Sequence, residues 1–163
     1  MTSFFDITST LPWPNAIGKR TAVGPLVGAA ESEAISELAK TTPLILVITA
    51  TTAAAHNLAS ELPFFLSDDR EILLVPDWET LPYDNFSAHE DIVSDRLKAL
   101  SRLPTLKSGV VIVSVTTLMH RLAPRHFIDA GVLSLKTGET LDAAQFVRNL
   151  TRNGYRSVDT VYE

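Results

Sequence analysis

Leu44-Ile45-Leu46-Val47-Ile48 is the continuous apolar run that decides the fold class. A run of this length, bounded by Pro43, predicts a strand buried on both faces, as in a parallel sheet covered by helices. Two later runs have the same character, Ile72-Leu73-Leu74-Val75 and Val110-Val111-Ile112-Val113. Together the three runs predict a buried parallel sheet.

Helical patterns separate these runs, and they cover residues 28–39, 51–66, 87–103 and 116–122. The third begins with Ser87-Ala88-His89-Glu90, which matches a capping box with Ser87 as N-cap. It is predicted to bury an apolar stripe made of Ile92, Val93, Leu97, Leu100 and Leu103. Strands that alternate with helices indicate parallel β-α-β units with right-handed crossovers.

The pattern changes after Pro124. Residues 132–135 read as a strand, and Thr140 is predicted to cap a helix that ends at Asn153, with Gly154 in the left-handed position after it. That helix would present an apolar face to a core: Leu141, Ala144, Phe146, Val147 and Leu150. Residues 155–162 alternate as a half-exposed strand would. With a boundary near residues 125–131, we expect an N-terminal arm at 1–24, an α/β domain at 25–125, and the first β-α-β unit of a second, α+β domain at 129–163.

Composition narrows the function classes. The 163 residues carry 14 basic and 19 acidic side chains, a net charge of −5, which argues against a dedicated nucleic-acid surface. The chain has no cysteine, so disulfide scaffolds, thiolate metal sites and cysteine nucleophiles are excluded. No apolar run approaches the roughly 18 residues of a membrane span, and residues 1–15 lack the pattern of a signal peptide. We therefore expect a cytoplasmic protein with no membrane partner.

The architecture invites a search for a phosphate loop, which needs Gly-x-x-x-x-Gly-Lys-Ser/Thr. The pair Gly18-Lys19 is followed by Arg20, where a hydroxyl belongs. The better candidate is the turn before the first helix, where Gly28, Glu31 and Ser32 mark a degenerate loop with Glu31 in the lysine position. The fold is therefore predicted to be a degenerate P-loop-NTPase-like sheet. Because a carboxylate in the lysine position repels phosphate, we expect this sheet to bind no ATP or other cofactor.

Other chemistries find little support. Asp77 and Glu79 faintly resemble a magnesium-binding acidic pair, but hydrogen bonding within a tight loop is the favoured interpretation. Trp78, Tyr83 and Phe86 could stack on bases, yet no Arg or Lys is interleaved with them, which favours packing against the sheet. The histidines, at positions 56, 89, 120 and 126, have no metal-ligand spacing. No catalytic residue and no metal ligand is predicted.

One stretch identifies a family. Asp77-Trp78-Glu79-Thr80-Leu81-Pro82-Tyr83-Asp84-Asn85-Phe86-Ser87, with Asp91-Ile92, Arg96-Leu97, Leu103-Pro104 and Thr117-Leu118-Met119 downstream, closely resembles the N-terminal region of bacterial transcription-repair coupling factors (Mfd). The likeness extends more weakly over nearly the whole chain. The family-motif residues of this loop are expected to be structural: Asp77, Trp78, Glu79, Leu81, Pro82, Tyr83 and Phe86.

The resemblance implies a region homologous to the excision-repair protein UvrB, with a degenerate P-loop-like first domain and a second domain that recruits UvrA. The full-length family is an ATP-dependent DNA translocase that uses ATP and Mg, binds double-stranded DNA and displaces stalled RNA polymerase. Those activities, and the strands that contact UvrA, are expected beyond Glu163. The chain itself would be a non-catalytic adaptor. Two alternatives stay open: a free-standing, magnesium-dependent nucleotide-binding enzyme, and a single-strand nucleic-acid-binding module that uses the aromatic loop.

Overall fold

A computed structural model describes residues 11, 13–14, 16–67, 69–81, 83–131, 135 and 137–160. The chain divides into two compact units, one that ends at Leu122 and one that begins at Ala123. The first unit contains, in chain order, α1 (Ala30–Thr41), β1 (Leu44–Thr49), α2 (Thr52–Phe65), β2 (Ile72–Val75), α3 (Glu90–Arg102), a 3-10 turn (Leu103–Thr105), β3 (Gly109–Ser114) and α4 (Val115–Leu118).

The three strands form one parallel sheet in the order β1-β3-β2. Leu44 is opposite Gly109 in the pairing of β1 with β3, and Ile72 is opposite Val110 in the pairing of β2 with β3. The central strand, β3, is buried along its whole length. The predicted α/β class, with a parallel sheet and flanking helices, is therefore confirmed.

The residues of β3 alternate between two apolar cores, one on each face of the sheet. Val110 and Ile112 belong to the core covered by α1 and α2. Val111 and Val113 belong to the core that includes Ala99 of α3. A strand with a core on each face reads as a continuous apolar run, which is why this run was recognisable in the sequence.

Burial of β1 on both faces was expected, and that expectation is wrong. Ile45 is buried among α1 and α2, but Leu44, Leu46 and Ile48 on the opposite face are 43%, 57% and 51% exposed. β1 lies at one edge of the described sheet, and the second core is built against β2 and β3. β2, at the other edge, is half-buried except at Val75.

The start of α3 also differs from the prediction. Ser87 is not the N-cap: the helix begins at Glu90, and His89 caps it by accepting a hydrogen bond from the Asp91 N–H at Nδ1, at 3.3 Å. An imidazole two positions later replaces the hydroxyl that the capping box would have used. The buried face differs as well, since Leu97 is 45% exposed while Arg96 is buried.

The second unit contains α5 (Arg125–Gly131) and α6 (Ala143–Arg152). The segment where we placed a domain boundary is thus a short helix. Asp142, not Thr140, caps α6, because its carboxylate accepts the Gln145 N–H at 3.0 Å. The strand predicted at residues 132–135 lies largely outside the described residues.

The end of α6 follows the sequence prediction. Gly154 has φ +88°, and its N–H donates to the Thr151 carbonyl at 3.2 Å while the Tyr155 N–H donates to the Leu150 carbonyl at 3.1 Å. These two bonds form a Schellman motif. The predicted apolar face of α6 is half-buried at Phe146 and Leu150 and has no fully buried residue. The strand predicted at residues 155–162 is not found at 155–160, which are exposed and irregular, and residues 161–162 lie outside the described residues.

Candidate functional site

The carboxyl ends of the parallel strands meet at one edge of the sheet, and a polar cluster centred on Asp77 lies just beyond them. Oδ2 of Asp77 accepts hydrogen bonds from the Thr116 and Thr117 hydroxyls, each at 2.9 Å, and a longer one from Thr52 at 3.4 Å. Oδ1 accepts the Trp78 N–H at 2.7 Å. One carboxylate therefore ties together the segments that follow all three strands.

Ser114, the last residue of β3, extends this cluster. Its hydroxyl lies 2.8 Å from the Thr116 hydroxyl and 2.9 Å from the Thr117 hydroxyl, and it also accepts the Thr117 N–H at 3.2 Å. The interpretation of Asp77 as a hydrogen-bonding residue agrees with this geometry. Its reach is wider than predicted, because three of its donors belong to other elements and only Trp78 belongs to its own loop.

Hydrogen bonds stabilise the ionised form of Asp77. Burial acts to raise the pKa of its carboxyl, but the bonds from Thr116, Thr117 and the Trp78 N–H, with the nearby His120, lower that pKa below its ordinary value of 3.8. Asp77 is a carboxylate at neutral pH, and its two oxygens already accept four hydrogen bonds from the protein.

Glu79, the other member of the predicted acidic pair, takes no part in this cluster. It is exposed and has φ +58°, a left-handed backbone that a residue other than glycine adopts at some cost. Asp77 and Glu79 line an open cleft of about 590 Å³ together with Thr52, Thr116 and His120. Among the residues that the structure describes, no three His, Asp or Glu side chains converge as a metal site would require.

Arg96 supports the base of the loop from beneath, a role that the sequence reasoning missed. The residue is 1% exposed, and its Nη1 donates to the Pro76 carbonyl at 2.7 Å. Its guanidinium carbon lies 4.8 Å from the centre of the Trp78 ring, a cation–π contact. Burial lowers the pKa of Arg96, an effect that the charge of Asp77 opposes. The burial of Arg96 could have been predicted from helical spacing, because Arg96 falls four residues after Ile92 and three before Ala99.

The tip of the loop is exposed, contrary to the expectation that its aromatic side chains pack on the sheet. Leu81, Tyr83 and Phe86 are 72%, 97% and 83% exposed, while Trp78 is half-buried. Pro82 lies outside the described residues. The motif thus has an anchored part, Asp77 and Trp78, and an exposed part that includes Leu81, Tyr83 and Phe86.

The predicted degenerate phosphate loop lies at the amino end of α1. Gly28 has φ +64°, and Glu31 is exposed in the first turn of the helix. Glu31 lines a cavity of about 480 Å³ with Thr49 and Ala50, so this helix end faces the carboxyl end of β1. No described residue around the cavity is Lys or Arg.

Ser32 points away from that cavity. It is fully buried, and its hydroxyl donates to Glu61 Oε2 of α2 at 3.0 Å. A hydroxyl committed to this contact between two helices is not available to a metal ion. The three loop residues, Gly28, Glu31 and Ser32, are therefore neighbours in the fold, and of the three only Glu31 lines the cavity.

The histidines have separate surroundings. His56 and His126 are exposed, and His89 caps α3. His120 follows α4, and its Nδ1 is buried with no hydrogen-bond partner among the described residues. As for membrane association, none of the described helices is both long and apolar enough to span a bilayer.

The relatives found by comparison with known proteins all carry the same family name. No protein-family model matches the chain. The chain is 40% identical over 152 residues to the transcription-repair-coupling factor of Escherichia coli, which covers 92% of the chain and 13% of that protein. The factor of Haemophilus influenzae is 39% identical over 142 residues, or 86% of the chain and 12% of that protein. The factor of Mycobacterium tuberculosis is 37% identical over 135 residues, or 77% of the chain and 10% of that protein.

The chain thus spans about an eighth of the length of the first two relatives. The matches agree with the resemblance seen in the Asp77–Ser87 loop. By this similarity the chain belongs to the transcription-repair-coupling factor family, in which it matches a partial N-terminal region.

Proposed function

We propose that this chain is a non-catalytic adaptor region of a transcription-repair coupling factor, built on a nucleotide-binding type of fold that has lost its phosphate site. The observation that supports this proposal best is the pair Glu31 and Ser32. Glu31 places a carboxylate where a phosphate loop has its lysine, and the Ser32 hydroxyl donates a hydrogen bond to Glu61.

The electrostatics of α1 support the same conclusion. The amino end of a helix attracts anions because its first N–H groups are unpaired and its dipole is positive there. Glu31 and Glu33 both lie in the first turn and satisfy that preference from within the chain. A triphosphate would have to approach two carboxylates, with no described Lys or Arg around the adjoining cavity to offset them.

The carboxylate that would hold magnesium in a nucleotide site is also engaged in hydrogen bonds within the protein. Asp77 is the carboxylate that follows a strand at the cleft, and its two oxygens accept four hydrogen bonds from Thr52, Thr116, Thr117 and the Trp78 N–H. A metal ion would have to displace several of them. The alternative of a free-standing magnesium-dependent enzyme therefore requires the cleft to rearrange.

The activities of the whole protein are part of the proposal. We infer that the full-length protein is an ATP-dependent DNA translocase that displaces stalled RNA polymerase and recruits UvrA. ATP, Mg and double-stranded DNA would be bound by parts of the protein outside this chain. In such a protein the present region acts as a docking platform, and its contact with UvrA needs residues beyond Glu163.

Nucleotide titration tests the loss of the phosphate site. The purified chain would be titrated with fluorescent ATP and Mg, with a P-loop ATPase measured in parallel as a positive control. We expect no saturable binding up to millimolar nucleotide. Saturable binding in the micromolar range, weakened by Asp77→Ala, would favour the magnesium-dependent enzyme and overturn the proposal.

The adaptor role needs its own experiment. Purified UvrA would be titrated calorimetrically with the chain and with a longer version that continues past Glu163. Binding by the longer version supports the adaptor role, and binding by neither contradicts it.

The single-strand-binding alternative is tested by titrating single-stranded DNA with the parent chain and with a Tyr83→Ala/Phe86→Ala variant, each at two salt concentrations. The exposed rings favour stacking, but residues 77–95 contain six carboxylates and no Lys or Arg, so we expect no salt-dependent shift.

A further inference from the structure

The tip of the family-motif loop places large apolar side chains in contact with solvent. Leu81, Tyr83 and Phe86 are all strongly exposed. Met119, which follows α4, is 81% exposed and lines the same open cleft as Leu81. Exposed apolar side chains that are grouped in this way are typical of interaction sites, because their burial against a partner is favourable.

Hydrogen bonds restrain the loop at its base and at its tip. At the base, Asp77 accepts bonds from threonine hydroxyls of α2 and α4. At the tip, the Leu81 N–H donates to Asp84 Oδ2 at 2.7 Å, and the Asp84 N–H donates to the Leu81 carbonyl at 3.0 Å. These two bonds close a turn that contains Tyr83. A restrained loop loses less conformational entropy on binding, which suits it to recognition.

The charge of this segment restricts the kind of partner. Residues 77–95 contain no Lys or Arg. Their exposed carboxylates are those of Glu79, Asp84, Glu90, Asp91 and Asp95. Such a surface repels the phosphates of nucleic acids and of anionic membranes, and it attracts Lys and Arg side chains. A second copy of the chain is disfavoured for the same reason, since a symmetric contact would bring two acidic loops together.

We propose that Leu81, Tyr83 and Phe86 form a docking surface for a protein whose contact site is an apolar pocket rimmed by Lys or Arg. The aromatic rings bind in the pocket, and the carboxylates around them face the basic rim. Tyr and Phe are enriched at protein interfaces, where a few residues contribute most of the binding energy. This surface goes beyond the proposed function, which assigns the UvrA contact to residues after Glu163.

Peptide selection tests the chemistry of the partner. A phage-displayed library of random dodecapeptides would be selected in parallel on the immobilised parent chain and on the Tyr83→Ala/Phe86→Ala variant. We expect one family of peptides to be enriched on the parent chain alone, and to combine Lys or Arg with large apolar side chains. Synthetic peptides of this family should bind the parent chain in solution with a Kd on the order of 10 μM.

Titrations with these synthetic peptides locate the surface. Tyr83→Ala/Phe86→Ala should weaken binding by at least about tenfold, because it removes both rings. Phe64→Ala is the matched control and should leave the Kd unchanged, since Phe64 is 84% exposed near the end of α2, at the opposite edge of the sheet. Raising NaCl from about 50 to about 500 mM should weaken binding about fivefold or more, because salt screens the carboxylates. Thermal unfolding verifies that each variant is folded.

Several results would overturn the proposal. One is the absence of a peptide family specific to the parent chain, and another is a specific family that is neutral or acidic. Binding of single-stranded oligothymidylate or of phosphatidylserine vesicles that is lost in Tyr83→Ala/Phe86→Ala would identify a nucleic acid or a membrane as the partner instead. A dimer of the parent chain in sedimentation that the same variant abolishes would identify a second copy. None of these measurements uses nucleotide or UvrA, so such a failure leaves the proposed function standing.

Discussion

The Thr117 hydroxyl donates a hydrogen bond to Asp77 Oδ2 at 2.9 Å, although 40 residues separate the two in the chain. This bond joins α4, which follows β3, to the loop that follows β2. With the bonds from Thr116 and Thr52 to the same oxygen, it fixes the base of the family-motif loop against the carboxyl edge of the sheet.

Asp77→Ala should lower the free energy of unfolding by about 2–3 kcal/mol, because it leaves several partly buried donors without their acceptor. Urea unfolding followed by circular dichroism measures the change. Asp95→Ala, at an exposed position on α3, is the matched control and should stay within about 0.5 kcal/mol of the parent chain. Equal effects of the two substitutions would show that the Asp77 cluster contributes no special stability.

The Asp77 contribution should depend on pH in a defined direction. The pKa of this carboxyl is lowered in the folded state from its ordinary value of 3.8, so the carboxylate stabilises the fold above that value. The stability difference between the parent chain and Asp77→Ala is expected to be constant from about pH 7 to pH 5. It should shrink as the pH falls below 3.8. Urea unfolding over this pH range is the measurement, and a difference that grows on acidification would contradict the proposed role.

Trp78 and Phe86 belong to the same loop motif but should respond differently to truncation. Trp78→Ala removes the cation–π contact with Arg96 and exposes that buried cation, and we expect a loss of about 2 kcal/mol. Phe86→Ala, at a position that is 83% exposed, should change stability by no more than about 0.5 kcal/mol. Thermal unfolding of both variants tests the division of the loop. Similar losses would mean that Phe86 is packed after all.

Gly109 is required by a close approach of two backbones. Its φ is +138°, and a Cβ at this position would lie 2.3 Å from the Glu71 carbonyl oxygen, which also accepts the Val110 N–H. Gly109→Ala should therefore cost at least about 2 kcal/mol, since the backbone of β3 has to move. Gly24→Ala meets no atom within 4 Å and should range from no change to about 1 kcal/mol of stabilisation. Unfolding midpoints in urea compare the two, and a tolerated Gly109→Ala would contradict this account.

The sequence determined the elements that follow from local periodicity. The apolar run of β3, the helix that ends before Pro43 and the left-handed turn at Gly154 could all be predicted because each depends on neighbouring residues. Alternation of strands with helices was enough to give the parallel α/β class. The family was recognisable from the Asp77–Ser87 loop, whose residue order is specific.

Only the tertiary structure decided which surfaces are covered and which polar groups meet. Leu46 in β1 and Ile112 in β3 lie in equally apolar runs, but β1 is at an edge of the described sheet and β3 is at its centre, so Leu46 is 57% exposed and Ile112 is buried. Arg96 falls within an apolar helical stripe, and its burial depends on the Pro76 carbonyl and the Trp78 ring about 20 residues earlier. Burial and hydrogen bonding are set by contacts between segments that are distant in the chain, and local periodicity contains no information about those contacts.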